Sequence, residues 1–175
     1  NKGAATTFTT DGTAITFAGG EIDLANGSDL VIDTGAGAGA ITTGEIGGDS
    51  TETVTIDAGT GTTSVGVIGT GTEIGTLSIG SAQNGGITLN GAITTDGVIT
   101  IDGPITLATA AITITTADDN INLQGTVDGG KALTLVSGSG DVTVDVAIGC
   151  STALTSLTVN NSGAGTIEIT NIGTT

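Results

Sequence analysis

The sequence predicts an all-β protein wound as a parallel β-helix, a β-solenoid of about 22 residues per coil and roughly eight coils. Three observations predict it: aliphatic pairs that recur at a fixed interval, glycine-rich breaks about every 11 residues, and a composition hostile to helix.

The pairs have the form apolar-x-apolar. One series comprises Val54/Ile56, Leu77/Ile79, Ile99/Ile101, Ile121/Leu123, Val142/Val144 and Ile167/Ile169, at spacings of 23, 22, 22, 21 and 25 residues. A second series runs roughly midway between them, with Val65/Val67, Ile87/Leu89, Ile112/Ile114, Leu133/Leu135 and Leu157/Val159 at spacings of 22, 25, 21 and 24. Two interleaved series with one shared period describe a coil that contributes at least two strands.

Side chains alternate across a strand, so the aliphatic members of each pair point inward and the middle residue outward. The outward residues are Thr88, Thr113, Thr134 and Thr158 in one column and Thr55, Ser78, Thr100, Asn122 and Thr143 in the other. Ile46, Ile74, Ile93, Val127 and Ile148 fall between the columns at irregular spacing and fit a shorter third face, which leaves both two-faced and three-faced coils open. Glycine, 32 residues of it, marks the breaks between strands. Gly and β-branched residues resist helix, and no window repeats apolar residues at i, i+3, i+4 and i+7. The 175 residues read as one domain, 1–175, with less regular opening coils over 1–29 and regular repeats over 30–172.

Charge narrows the partners. Eighteen acids against two bases, Lys2 and Lys131, give a formal charge of −16, which repels nucleic acid and anionic membrane surfaces. No apolar run reaches the length of a membrane span, so membrane insertion is not expected. The opening "NKGAATTF" has no apolar stretch of the secretory type, so the reading expects any export signal to have been removed or to lie upstream. A single Cys150 allows no internal disulfide. An acidic, Thr-rich, nearly Cys-free chain fits the outside or the surface of a prokaryotic cell.

Residues 132–169 and 53–89 follow one plan of strand, Gly-x-Gly break, strand, Ile-Gly break and strand. The positions Leu133-Thr134-Leu135, Gly138, Gly140-Asp141-Val142-Thr143, Ile148-Gly149 and Leu157-Thr158-Val159 resemble the repeats of giant secreted bacterial adhesins of the filamentous haemagglutinin type. That resemblance, over about residues 30–172, implies right-handed parallel β-helices, export to the cell surface and roles in adhesion or filament formation.

Reactive groups are few. Without His there is no Ser-His-Asp or Cys-His arrangement, and the chain also lacks Arg, Trp and Tyr, which β-helical lyases and glycan grooves commonly use. The expectation is a protein that is not an enzyme and requires no cofactor. Asp33, Asp57 and Asp102 each follow an inward Ile, in "VIDTG", "TIDAG" and "TIDGP". Stacked in adjacent coils they would repel unless a cation such as calcium bridged them, and they are the candidate metal ligands; the competing reading is that each Asp bonds its own turn. Thr-x-Thr at 53/55 and 113/115 would suit an ice-binding face only if it recurred in nearly every coil, and it does not.

The functional expectation is a structural subunit or segment of an extracellular filament, adhesin or surface layer. Its partner is a further copy of itself, added strand to strand at the solenoid ends. The alternative is an adhesin module whose glycan or protein receptor meets one polar face.

Overall fold

The computed structural model describes residues 4–80 and 85–173, and these form a three-faced parallel β-solenoid of about seven turns. Every strand pair is parallel, and the described residues contain no helix. Face one carries Thr6–Thr9, Leu30–Asp33, Thr53–Asp57, Thr76–Gly80, Ile99–Asp102, Ile121–Leu123 and the starts of Val142–Ile148 and Ile167–Ile172. Face two carries Ile15–Thr16, Ile41–Thr42, Thr63–Val65, Ile87–Leu89, Ile105–Leu107 and Val127–Asp128, then Ile148 and Ile172 at the ends of those two long strands. Face three carries Ile22–Asp23, Ile46–Gly47, isolated bridges at Ile68 and Ile74, Ile93–Thr95, Ala111–Thr116, Ala132–Gly138 and Ser156–Asn161.

The first predicted series is face one as it stands: Val54, Leu77, Ile99, Ile121, Val142 and Ile167 follow one another in register. The second series joins two faces. Ile87/Leu89 lies on face two, where Leu89 pairs with Val65, whereas Ile112/Ile114, Leu133/Leu135 and Leu157/Val159 lie on face three. Its 25-residue step from Ile87 to Ile112 is where the series crosses a corner. The residues offered for a third face divide likewise: Ile46, Ile74 and Ile93 belong to face three, Val127 and Ile148 to face two.

Alternation builds the core. Leu133 and Leu135 are buried on either side of a half-buried Thr134, and Ile99 and Ile101 flank Thr100 in the same way. Each fully buried Ile or Leu contributes on the order of 2 kcal/mol. Corners need different chemistry. Thr95, Thr116 and Ser137 occupy the last inward position of face three, and their hydroxyls donate to the carbonyls of Gly97 (2.5 Å), Asp119 (2.5 Å) and Gly140 (2.9 Å), turning the chain toward face one. The corner from face one to face two is crowded backbone on backbone: a Cβ on Gly125 would stand 1.9 Å from the Gly103 carbonyl oxygen, so no larger residue fits.

The two aromatic residues sit together in the first coil. Phe8 on face one meets Phe17 beside face two edge-on, with centroids 5.1 Å apart. Phe8 stacks over Ile32 of the next coil, and Phe17 follows Thr16, which pairs with Thr42.

Candidate functional site

The surface offers three polar faces, a set of carboxylates at the corners and two coil ends. No cavity or cleft opens among the described residues.

The structure brings Asp33 and Asp57 together and leaves Asp102 apart. Asp33 pairs with Asp57 in the ladder, but the next position in the column is Gly80, which separates Asp57 from Asp102 by a full coil. Asp33 Oδ1 accepts the Gly35 amide at 2.6 Å, and Asp57 Oδ1 accepts the Gly59 amide at 2.8 Å. Gly35 and Gly59 both have positive φ, at 71° and 53°. This is the geometry of an Asp that bends its own turn. Among the described residues no group of three or more His, Cys, Asp or Glu is placed to hold a metal ion.

Other acids act between coils, a role the sequence reading missed. Asp29 Oδ1 accepts the Thr53 amide at 2.9 Å, Asn120 Oδ1 the Asp141 amide at 2.8 Å, and Asp141 Oδ1 the Thr166 amide at 2.6 Å. Of these five positions, Asp29, Asn120, Asp141 and Thr166 immediately precede strands of face one and Thr53 begins one. Asp118 Oδ1 accepts from Ser139 at 2.9 Å, and Asp128 Oδ1 from both Ser151 and Thr152 at 2.9 Å. In every case the acceptor belongs to one coil and the amide to the next coil toward the C terminus. Amides that leave the strand ladder at a corner still need partners, and short carboxylates and amides reach them. The only trace in sequence is an Asp or Asn placed 21 to 25 residues before its donor.

Glu52 is the most enclosed acid, with no exposed surface. Its Oε1 accepts the Gly27 amide at 2.9 Å and the Thr51 hydroxyl at 3.1 Å, while Oε2 accepts the amides of Asp49 at 2.7 Å and Thr51 at 3.2 Å. Burial raises the pKa of such a carboxyl, but the backbone hydrogen bonds from Asp49, Gly27, Glu52 itself and Thr51 outweigh it and hold the group below its ordinary value. Gly48 leaves the necessary space, since a Cβ there would lie 2.5 Å from Oε2. The ionised Glu52 therefore ties the corner at 25–29 to the corner at 48–52, one coil on.

The ends differ from the middle. At the first coil Phe8 is 40% exposed and Ile15, Phe17 and Ile22 are half-buried. At the last, Ile167 and Ile172 are 47% and 60% exposed, with Leu157, Val159 and Ile169 half-buried. Cys150 is an exposed free thiol in the corner beneath Gly173.

These features define a β-solenoid repeat protein. No protein-family model, curated protein or solved structure matches the chain.

Proposed function

We propose that this chain is a non-enzymatic structural subunit or segment of an extracellular filament, adhesin or surface layer, assembled by strand addition at the solenoid ends. The observation that carries this reading is the apolar surface of the first and last coils among the described residues, with Phe8 exposed in one and Ile167 and Ile172 in the other. Strand addition there pairs backbone groups and buries apolar surface in one step. The two ends are unlike, so the contact is heterologous and propagates into an open fibre.

The resemblance of the repeats to filamentous haemagglutinin-type adhesins supports export to the surface of a prokaryotic cell, and the missing His, Arg, Trp and Tyr support a role without catalysis. A charge of −16 disfavours lateral bundling, so thin fibres form unless divalent cations screen the sides. Sedimentation and negative-stain electron microscopy of the purified chain, with and without calcium, test the proposal. Long unbranched fibres are expected. A soluble monomer at high concentration in both conditions abandons the filament and moves the reading to a module that meets a glycan or protein receptor on a polar face.

A further inference from the structure

Asn26 stands before Gly27, a dipeptide whose carboxamide is open to attack by the next backbone nitrogen because glycine carries no side chain to hinder the approach. The two residues sit at the centre of a turn closed by the Ser28 amide, which donates to the Ala25 carbonyl at 2.8 Å, and Gly27 has a φ of 69°. The reaction consumes only water. The Gly27 nitrogen gives its proton to hydroxide and its electron pair attacks Cγ of Asn26; the bond from Cγ to Nδ2 breaks, ammonia leaves with a proton from water, and a five-membered imide closes. Water then opens either carbonyl–nitrogen bond of the ring, leaving Asp at position 26 or isoaspartate, in which the main chain runs through the former side chain.

The next coil holds both reacting groups. Gly27 is buried, and its amide donates to Glu52 Oε1 at 2.9 Å and to Thr51 Oγ1 at 3.0 Å. Asn26 is exposed, and its Nδ2 donates to Asp49 Oδ2 at 2.8 Å. Deprotonating Gly27 would set a negative nitrogen beside the Glu52 carboxylate, which like-charge repulsion opposes. Moving that nitrogen onto Cγ would also break its bonds to Glu52 and Thr51. We infer that Asn26-Gly27 is a latent deamidation site that Glu52 and Thr51 keep closed, so that the chemical lifetime of this corner depends on the winding of the coil after it. The product acts on the same corner. A carboxylate at position 26 would meet Asp49 where an N–H donor now stands, and isoaspartate adds a methylene to the main chain immediately before Gly27.

Asn90-Gly91 is the same dipeptide elsewhere and serves as the control; Asn90 Nδ2 donates to Ser64 Oγ at 2.9 Å and to the Val65 carbonyl at 3.1 Å, both on face two. The parent chain, Glu52→Ala and Thr51→Val are incubated at neutral pH, and peptide mapping by mass spectrometry follows Asn, Asp and isoaspartate at positions 26 and 90. The parent unfolded in urea gives the unprotected rate. Both variants are first checked for parent-like circular dichroism, and if Glu52→Ala fails that check the Thr51→Val rate decides. Reaction through an opened corner tracks how often it opens, so Asn26 in the folded parent is expected to react at least about tenfold more slowly than in urea. Glu52→Ala is expected to raise the folded rate at Asn26 at least about tenfold while leaving Asn90 at the parent rate, and Thr51→Val to raise it by a smaller factor. A folded parent that reacts as fast as the unfolded chain overturns the inference. So do folded variants that leave the Asn26 rate unchanged, or that accelerate Asn26 and Asn90 equally.

Discussion

Replacing Glu52 tests whether a buried acid holds two coils together. Its carboxylate accepts three amides and one hydroxyl, at 2.7 to 3.2 Å. Hydrogen bonds to a charged group contribute about 1.5–3 kcal/mol each, and a buried donor left without a partner costs about 1–3 kcal/mol. The donors are not equal. Gly27 is buried, whereas Asp49 is exposed and Thr51 lies beside it at the surface, so water can replace their bonds once the carboxylate is gone. Glu52→Ala is therefore expected to cost about 3 kcal/mol, dominated by the Gly27 amide. Glu52→Gln keeps one oxygen but turns an NH2 toward the other donors, and is expected to cost about 1–2 kcal/mol. The pH dependence has a definite sign. A folded-state pKa held below 4.5 means that the stabilisation is complete above that value and is lost as pH falls through the folded pKa. The stability difference between parent and Glu52→Gln should be flat from pH 7 to about 5 and shrink below it. Repeat arrays can open locally, so denaturant titrations at several pH values should be paired with hydrogen exchange at Gly27, Asp49 and Thr51, whose amides lose protection in both variants. Equal stability of parent and Glu52→Gln at pH 7, or a difference that persists unchanged into acid, refutes the clamp.

Three further outcomes follow from the same geometry. Leu135→Asp puts an unpaired charge between stacked coils and should cost several kcal/mol in denaturant titration, whereas Thr134→Asp on the outer side should change stability little; equal effects would contradict the inward and outward assignment. Thr63 is fully buried with an unpartnered hydroxyl between Ile41 and Ile87 on face two, so Thr63→Val should raise stability by about 1 kcal/mol, and a loss would show that the hydroxyl is satisfied. Calcium should raise the melting temperature no more than sodium at equal ionic strength if Asp33 and Asp57 serve only their turns; a calcium-specific rise that Asp57→Asn abolishes would make the pair a site.

Much of the fold was legible because a strand's period of two survives any neighbour. Val54/Ile56 through Ile167/Ile169 could be aligned by eye and proved to be one face. Face identity was harder, since the same Ile-Thr-Ile and Ile-Thr-Leu letters serve all three faces. "ITIDGPITL" at 99–107 covers two faces with a corner of only two residues, Gly103 and Pro104, between the strands. Nothing in those letters announces a change of face, and the second series passes over Ile105/Leu107, the face-two strand that stacks on Ile87/Leu89, to continue with Ile112/Ile114 on face three. Asp33 and Asp57 were readable as turn formers from Asp-x-Gly alone. Glu52 was not, because "GGDSTE" reads as a solvated loop, and the Gly27 it serves is 25 residues away, brought beside it only by the winding. The one-coil carboxylate bonds escape for the same reason: they are local in space and distant in sequence.

Coils that continue from one copy to the next are the centre of the proposed filament, and diffraction from oriented fibres of the purified chain tests them most directly. The prediction is a reflection near 4.8 Å on the meridian, with the strands perpendicular to the fibre axis and the solenoid running along it. Fibres whose strand spacing lies on the equator, or a chain that gives no fibres at all, would contradict it.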